Sequence, residues 1–317
     1  VTNSYDICAD IFCTRTSHDW SLRQMIAVFR TASDEIRHSK VSVGSERREV
    51  LERSIIYKAL LRIHEPQFNQ RDKKSFRSII DHVFCDDMGE KIPFLPFELH
   101  KCIINLCTSD QFLLTPKQSF VHVVGDLYES LYARRGVILL GSSMVGKTSA
   151  IKLLKAAMPE LKKNSMFLPR HFKDFVDNKV ETHIINTKAY SYERLYGRFS
   201  AFDDSWQPGY VEKILVEAGD SINKNNQVWL IFDGPIDSDW MEYLNSALDD
   251  TRKLSVSNGK SVLVPESFRF IFESDNANSC TPASISRCGT IYIGQEEVGW
   301  QAYLSAWFTK FDTGDSP

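Results

Sequence analysis

The fold of this chain is decided by one continuous stretch, Gly136-Val137-Ile138-Leu139-Leu140-Gly141-Ser142-Ser143-Met144-Val145-Gly146-Lys147-Thr148. It opens with an apolar run that is too short for a helix and is typical of a strand buried on both faces. The eight residues from Gly141 to Thr148 match the pattern G-x-x-x-x-G-K-[ST] in full. Apolar residues then recur at helical spacing, at Ala150, Leu153, Leu154 and Ala157. A strand, a glycine-flanked loop and a helix in this order predict a phosphate-binding loop.

The residue types of this loop suit the binding of a nucleotide. Backbone N–H groups at a helix N-terminus bind phosphate oxygens, and glycine permits the close approach that a Cβ would block. We expect Lys147 to bind the β- and γ-phosphates and the Thr148 hydroxyl to bind Mg²⁺. The alternative is a chance match, in which a surface lysine follows a turn. The predicted nucleotide-binding residues are therefore Gly141, Ser142, Ser143, Met144, Val145, Gly146, Lys147 and Thr148.

Further apolar runs extend this unit into a sheet. They lie at Thr182–Asn186, Val228–Phe232, Phe268–Phe272 and Thr290–Ile293, with helical or mixed segments between them. Strands that alternate with helices predict an α/β fold, a mostly parallel sheet covered by helices on both sides. A local hairpin is expected around Asn258-Gly259.

The chain before the sheet reads as helical. Three apolar stripes at helical spacing begin at Leu22, Leu51 and Phe76, and the first consists of Leu22, Met25, Ile26 and Phe29. Thr115-Pro116 is expected to open a longer helix. The predicted organisation is an irregular lead-in (1–15), a small all-helical subdomain (16–92), an α/β core (93–300) and a tail (301–317) that is polar from Thr309 to Pro317.

Composition excludes several classes of protein. The 38 basic and 41 acidic residues leave a net charge of −3, which argues against nucleic-acid or electrostatic membrane partners. No apolar run approaches the roughly 18–20 residues that span a bilayer. The seven cysteines contain no C-x-x-C pair, so neither a disulfide scaffold nor a zinc module is expected. Because the sequence starts at Val1 without an initiator Met, we expect it to be a slice of a longer chain.

An acidic residue at the end of a second strand is expected to assist the loop. Val228–Phe232 is followed by Asp233, at the edge of the sheet where ligands bind, and we expect it to orient Mg²⁺ together with Thr148. Hydrolytic members of this class commonly carry a glutamate next, but Gly234 and Pro235 follow here. Without a side chain that activates water, little hydrolysis is expected. Asp237 is the alternative base, if it reaches back.

Several longer motifs resemble one family, the dynein heavy chains, and within it the second AAA+ module of the motor ring. They are Asn186-Thr187-Lys188-Ala189, Leu195-Tyr196-Gly197, Trp206-Gln207-Pro208-Gly209, Phe232-Asp233-Gly234-Pro235, Phe272-Glu273 and Thr281-Pro282-Ala283-Ser284-Ile285-Ser286-Arg287-Cys288-Gly289. The segment from about 16 to 85 is similar to the helical lid of the preceding module. The resemblance implies a P-loop NTPase (AAA+) core in a ring of six modules, where the first module hydrolyses ATP and the second binds ATP or ADP with Mg²⁺ mainly structurally.

The resemblance also implies roles and partners. Arg287 would act as an arginine finger on the nucleotide of the neighbouring module; the alternative is that it only pairs with a carboxylate in the core. Asn276 or Asp275 would fill the polar sensor position. The partners would be neighbouring AAA+ modules, dynein intermediate and light chains, and microtubules. The location would be the cytoplasm and cytoskeleton, or the axoneme of a cilium or flagellum. Met144 stands where the family often has glycine, which also leaves open a scaffold with an empty loop. A free-standing ATPase with an unconventional base is the other alternative.

Overall fold

The computed structural model of the chain describes residues 1–12, 20–38, 45–84, 97–109, 112, 114–163, 175, 179–219 and 226–312. Its N-terminal part is helical. The helices are α1 (Thr2–Phe12), α2 (Leu22–His38), α3 (Ser45–His64), a short 3-10 turn (Glu65–Gln67) and α4 (Gln70–Phe84). The predicted boundary between the helical subdomain (16–92) and the α/β core (93–300) lies outside the described residues.

The α/β core begins with two helices and then alternates. Its elements are α5 (Phe97–Cys107), α6 (Gln118–Ala133), β1 (Gly136–Leu140), α7 (Lys147–Lys163), β2 (Lys179–Asn186), α8 (Tyr192–Tyr196), β3 (Gly197–Phe199), β4 (Trp206–Pro208), α9 (Tyr210–Gly219), β5 (Asn226–Asp233), α10 (Ser238–Met241), α11 (Asn245–Leu248), β6 (Lys253–Ser255), β7 (Ser261–Leu263), β8 (Phe268–Ser274), α12 (Pro282–Arg287), β9 (Cys288–Tyr292) and α13 (Gln295–Asp312). A 3-10 turn (Glu242–Leu244) links α10 to α11.

Five strands of the described chain form one parallel sheet in the order β2-β5-β8-β1-β9. The α/β fold with a helical part in front is therefore confirmed. The strand β8 lies between β1, which leads into the loop, and β5, which ends in Asp233. The hairpin around Asn258-Gly259 is confirmed as the pair β6–β7, and a second hairpin, β3–β4, was not predicted.

Alternate residues of each strand pack into two different cores, which explains why the runs are apolar throughout. Val137 and Leu139 of β1 pack with α5, α6 and α7 on one face. Ile138 and Leu140 pack on the other face, with α8, α9 and the short helices before β6. Helices on both faces leave no polar side for the inner strands, as expected for a parallel sheet.

The predictions for the first and last segments of the chain are wrong, because both segments contain helices. Residues 1–15 were expected to be irregular, but α1 buries Tyr5, Cys8 and Phe12 along one face. Ile7 and Ile11 lie exposed on the other face, and these apolar residues hid the helical period. The tail expected over 301–317 is helical as far as Asp312, because α13 continues through it after a kink at Gly299, which has φ +69°.

Two helix details also differ from the prediction. In α2 the buried face is Gln24, Val28 and Ala32, whereas the predicted stripe is largely exposed, with Leu22 at 70%. The helix predicted from Thr115 begins only at Gln118, and the Thr115 hydroxyl donates to the carbonyl of Ala302.

One buried ion-pair network joins the helical part to the core. Arg62 of α3 lies 3.1 Å from Glu35 of α2 and 3.4 Å from Glu129 of α6. Glu129 is 9% exposed, and its Oε1 has no hydrogen-bond partner among the described residues. Burial raises the pKa of Glu129 to about 7, and the charge of Arg62 offsets only part of this effect.

We expect Glu129 to make stability fall as the pH rises from about 4.5 to 7. In this window the unfolded chain releases the proton that the folded chain keeps, so folding becomes less favourable. Glu129→Gln should flatten this decline and raise stability at pH 8 by on the order of 1–2 kcal/mol. Thermal unfolding midpoints at pH 5 and pH 8 measure the effect.

The matched control is Glu35→Gln, which removes the other carboxylate on Arg62. It should leave most of the pH trend in place, because burial raises the pKa of Glu129 more than the charge of Glu35 does. A Glu129→Gln variant that keeps the wild-type difference between pH 5 and pH 8 would show that this carboxyl does not cause it.

Among the described helices, none has the length and the apolar character that a membrane span requires.

Candidate nucleotide-binding site

The predicted loop joins β1 to α7 at the carboxyl edge of the parallel sheet. Ser142, Ser143 and Met144 are exposed, while Val145 and Gly146 are buried beneath them. Gly146 has φ +93°, a conformation that a residue with a Cβ rarely adopts. The first turn of the 17-residue helix α7 starts directly after it, at Lys147. The loop backbone therefore lies at the positive end of a helix dipole, where anions bind.

Met144 is the residue of the loop that fits its position least well. It adopts φ +69° and is 91% exposed. The left-handed conformation costs an ordinary residue roughly 1–2 kcal/mol and glycine little or nothing. The backbone thus has the shape expected with glycine at this position.

Lys147 lies within the loop. Its ammonium group donates to the carbonyls of Gly141 and Ser142 and forms an ion pair with Asp275 at 3.0 Å. The Lys147 side chain is only 11% exposed, whereas Asp275 is 61% exposed. A phosphate would therefore meet a cation that is already positioned, and would compete with a mostly solvated carboxylate.

Thr148 contacts a carboxylate that the sequence did not single out as a site residue. Its hydroxyl donates to Glu273 at 2.6 Å, and Glu273 is 4% exposed at the end of β8. Burial raises the pKa of Glu273, the hydrogen bond from Thr148 opposes this, and the charge of Asp233 adds to it. The sequence signal that could have identified Glu273 was its place directly after the apolar run Phe268–Phe272, which forms the central strand.

Asp233 ends β5 as predicted. It stands in register with Glu273 of β8 and with Asn186 of β2, so these side chains meet at one edge. Among the described residues, Asp233 makes no side-chain hydrogen bond, and its side chain is exposed. Hence two carboxylates and the Thr148 hydroxyl lie at this edge.

Gly234 occupies a position that other residues would not readily take. Its φ is +145°, and a Cβ there would lie 2.6 Å from the Thr187 hydroxyl. Asp237, the alternative base, caps α10 instead, by accepting from the backbone N–H of Asp239 at 3.4 Å. A base directly after Asp233 is therefore absent and also sterically disfavoured.

The candidate sensor Asn276 is exposed just after β8. Its side-chain oxygen accepts from the N–H of Asn278, and its carbonyl accepts from Ser274. The neighbouring Asp275 instead contacts Lys147 directly. Of the two candidates for the sensor, Asp275 is the one joined to the loop.

These oxygen donors suit Mg²⁺, which is usually held by one or two protein groups together with substrate phosphates. Within the described ranges, no group of three or more His, Cys, Asp or Glu side chains is arranged to hold a metal ion by itself. The Thr148 hydroxyl and the Asp233 carboxylate are the hard donors that fit a nucleotide-bound cation.

Arg287 lies far from the loop in sequence and at a different surface. It ends α12, and its guanidinium group contacts both the Asp249 carboxylate at 2.9 Å and the carbonyl of Ala283. Asp249 also pairs with Arg23 of α2, at 2.6 Å. These residues line a cleft of about 1170 Å³ between the helical part and the core.

Comparison with known proteins is consistent with this arrangement. The model of the family described as the hydrolytic ATP binding site of the dynein motor region matches residues 1–148, which end on the last residue of the loop. Dynein axonemal heavy chain 3 of Mus musculus is 30% identical over 301 residues, which is 95% of this chain and 7% of that protein. Dynein axonemal heavy chain 12 of Rattus norvegicus is 25% identical over 98% of this chain and 9% of its own length.

The flagellar outer-arm dynein gamma chain of Chlamydomonas reinhardtii is 27% identical over 97% of this chain. The chain spans less than a tenth of the length of these relatives. The relatives match along almost the whole chain, and the match of the family model includes the loop. The chain therefore belongs to the dynein heavy chain family, as a segment of the motor region.

Proposed function

We propose that this segment is the second AAA+ module of a dynein motor ring, preceded by the helical lid of the first module at residues 16–92. It binds ATP or ADP with Mg²⁺ and hydrolyses little. The observation that carries this proposal is the placement of Lys147 and Thr148 in a formed loop, beside two strand-end carboxylates. Within this site Lys147 binds phosphate oxygens, while Thr148 and Asp233 hold the cation.

Low turnover follows from the residue after Asp233. An attacking water needs an acceptor for its proton in the transition state. Gly234 supplies none, and its backbone conformation disfavours a glutamate there. Nucleotide bound at this site would accordingly stabilise the module and influence its contacts with neighbouring modules. Its hydrolysis here would not power the motor.

Arg287 is proposed to act on the neighbouring module. Its planar guanidinium group lines an open cleft and is held by a carboxylate that it shares with Arg23. A γ-phosphate in that cleft would compete with the Asp249 carboxylate for the same N–H donors of the Arg287 guanidinium group. The role is that of an arginine finger, which stabilises charge in the transition state.

The partners follow from the same proposal. They are the neighbouring AAA+ modules of one heavy chain and, through the parent motor, microtubules and the dynein intermediate and light chains. Because the similar chains are axonemal or flagellar by name, we propose the axoneme as the location.

Equilibrium binding and turnover on the 317-residue chain test the proposal. Mg-ADP and Mg-ATP should both bind, measured by calorimetry, while phosphate release should stay within about tenfold of the reaction without protein. Release above that level that is lost in Asp237→Asn would favour the alternative of an ATPase with an unconventional base. A wild-type chain that binds neither nucleotide would favour the empty scaffold.

A further inference from the structure

The two side chains that define the loop are held by two different acidic residues from the end of β8. Thr148 donates to Glu273 at 2.6 Å, and Lys147 pairs with Asp275 at 3.0 Å. The two carboxylates differ in environment, since Glu273 is 4% exposed and Asp275 has a side chain that is 61% exposed. The same strand end therefore makes one buried contact and one solvated contact with the loop.

The direction of the Thr148 hydrogen bond matters for a cation. A hydroxyl has one proton and two lone pairs, and here the proton points to Glu273. The lone pairs are consequently left for a metal ion. A carboxylate that accepts a hydrogen bond from a metal ligand fixes the orientation of that ligand and makes it more basic.

This acceptor is buried at the end of a central strand. Glu273 extends from the central region of the sheet, between β1 and β5, and stands in register with Asp233. The sequence motifs alone predict that Thr148 and Asp233 bind the cation. Yet the described carboxylate that contacts the Thr148 hydroxyl is Glu273.

We propose that Glu273 is a positioning residue of the magnesium–nucleotide site, and that it acts on the metal through Thr148. The proposal rests on the proposed nucleotide binding and adds a residue to it. Glu273 orients the hydroxyl before nucleotide arrives and keeps accepting its proton while the oxygen faces the cation. Asp275 has a separate effect, because it competes with phosphate for Lys147 whether or not a metal is present.

The test compares how strongly Mg²⁺ promotes nucleotide binding. ADP affinity is measured by calorimetry with Mg²⁺ and again with EDTA, and the ratio of the two dissociation constants is the magnesium effect. Glu273→Leu, which removes the acceptor, should reduce this effect about tenfold. Glu273→Gln keeps an acceptor oxygen and should retain most of it. The matched control Asp275→Asn should change both affinities equally and leave the ratio unchanged.

A double-mutant cycle shows whether the action passes through Thr148. Thr148→Val should reduce the magnesium effect by a similar factor, and Glu273→Leu should reduce it no further in that background. Additive losses, an unchanged ratio in Glu273→Leu, or an equal loss in Glu273→Gln would each overturn the proposal. Failure of the proposed function itself looks different, because the wild-type chain would then bind no ADP. Thermal unfolding without nucleotide checks that each variant is folded.

Discussion

Replacing Arg287 by alanine in the parent motor should lower ATP turnover by about a thousandfold, the lower end of the range for an arginine finger. The side chain is 17% exposed at the cleft and is ordered by two contacts, to Asp249 and to the carbonyl of Ala283. If the Arg287 side chain moved to a phosphate, the Asp249 carboxylate would keep an ion-pair partner, because Arg23 also pairs with it. Phosphate release with and without microtubules measures the effect.

Two variants separate a finger from an ordinary structural arginine. Arg287→Lys keeps the charge but loses the planar fork, so turnover should remain strongly reduced. Arg252→Ala removes another paired arginine, which contacts Glu266 at 2.6 Å and does not line the cleft, and turnover should remain within a few-fold of wild type. If Arg287→Ala left turnover unchanged, Arg287 would have only the structural role of pairing with Asp249.

The sheet and the loop could be predicted from sequence because each inner strand packs on both faces. β1 sends alternate residues into two cores, so the run Gly136–Leu140 is apolar at every position but its first. The loop that follows is set by local chemistry, namely the two glycines, the lysine and the threonine of its motif. Neither inference needed knowledge of distant contacts.

The remaining features depended on contacts that a linear pattern does not contain. The apolar stripe of α2 was predicted to be buried, yet Leu22 and Ile26 face the cleft while Val28 and Ala32 pack inward. Similarly, Glu273 becomes a site residue only because β8 lies beside β1, which brings the end of one strand to the start of α7. Strand order decides this pairing, and strand order is not visible in a run of apolar residues.

Lys147→Ala should weaken the binding of Mg-ADP and Mg-ATP by about a hundredfold. Hydrogen bonds to charged groups contribute about 1.5–3 kcal/mol each, and tenfold in affinity corresponds to about 1.4 kcal/mol. The loss has two parts. The phosphates lose the ammonium group, and the Asp275 carboxylate that it neutralised is left facing them. Because Asp275 is mostly solvated, losing its ion pair with Lys147 should cost the nucleotide-free chain little stability. The variant should therefore stay folded, and calorimetry should report a loss of binding.

The matched control for this variant is Lys163→Ala, which removes the same charge from the other end of α7. At 1.5 Å per residue it lies about 24 Å from Lys147, well beyond the screening length in physiological salt. Its nucleotide affinity should equal that of wild type. If Lys147→Ala also bound Mg-ADP like wild type, the nucleotide would have to lie elsewhere, and the arginine-lined cleft around Arg287 would be the next site to test. If both variants weakened binding equally, net charge rather than the loop would govern affinity, and the loss would then disappear at high salt.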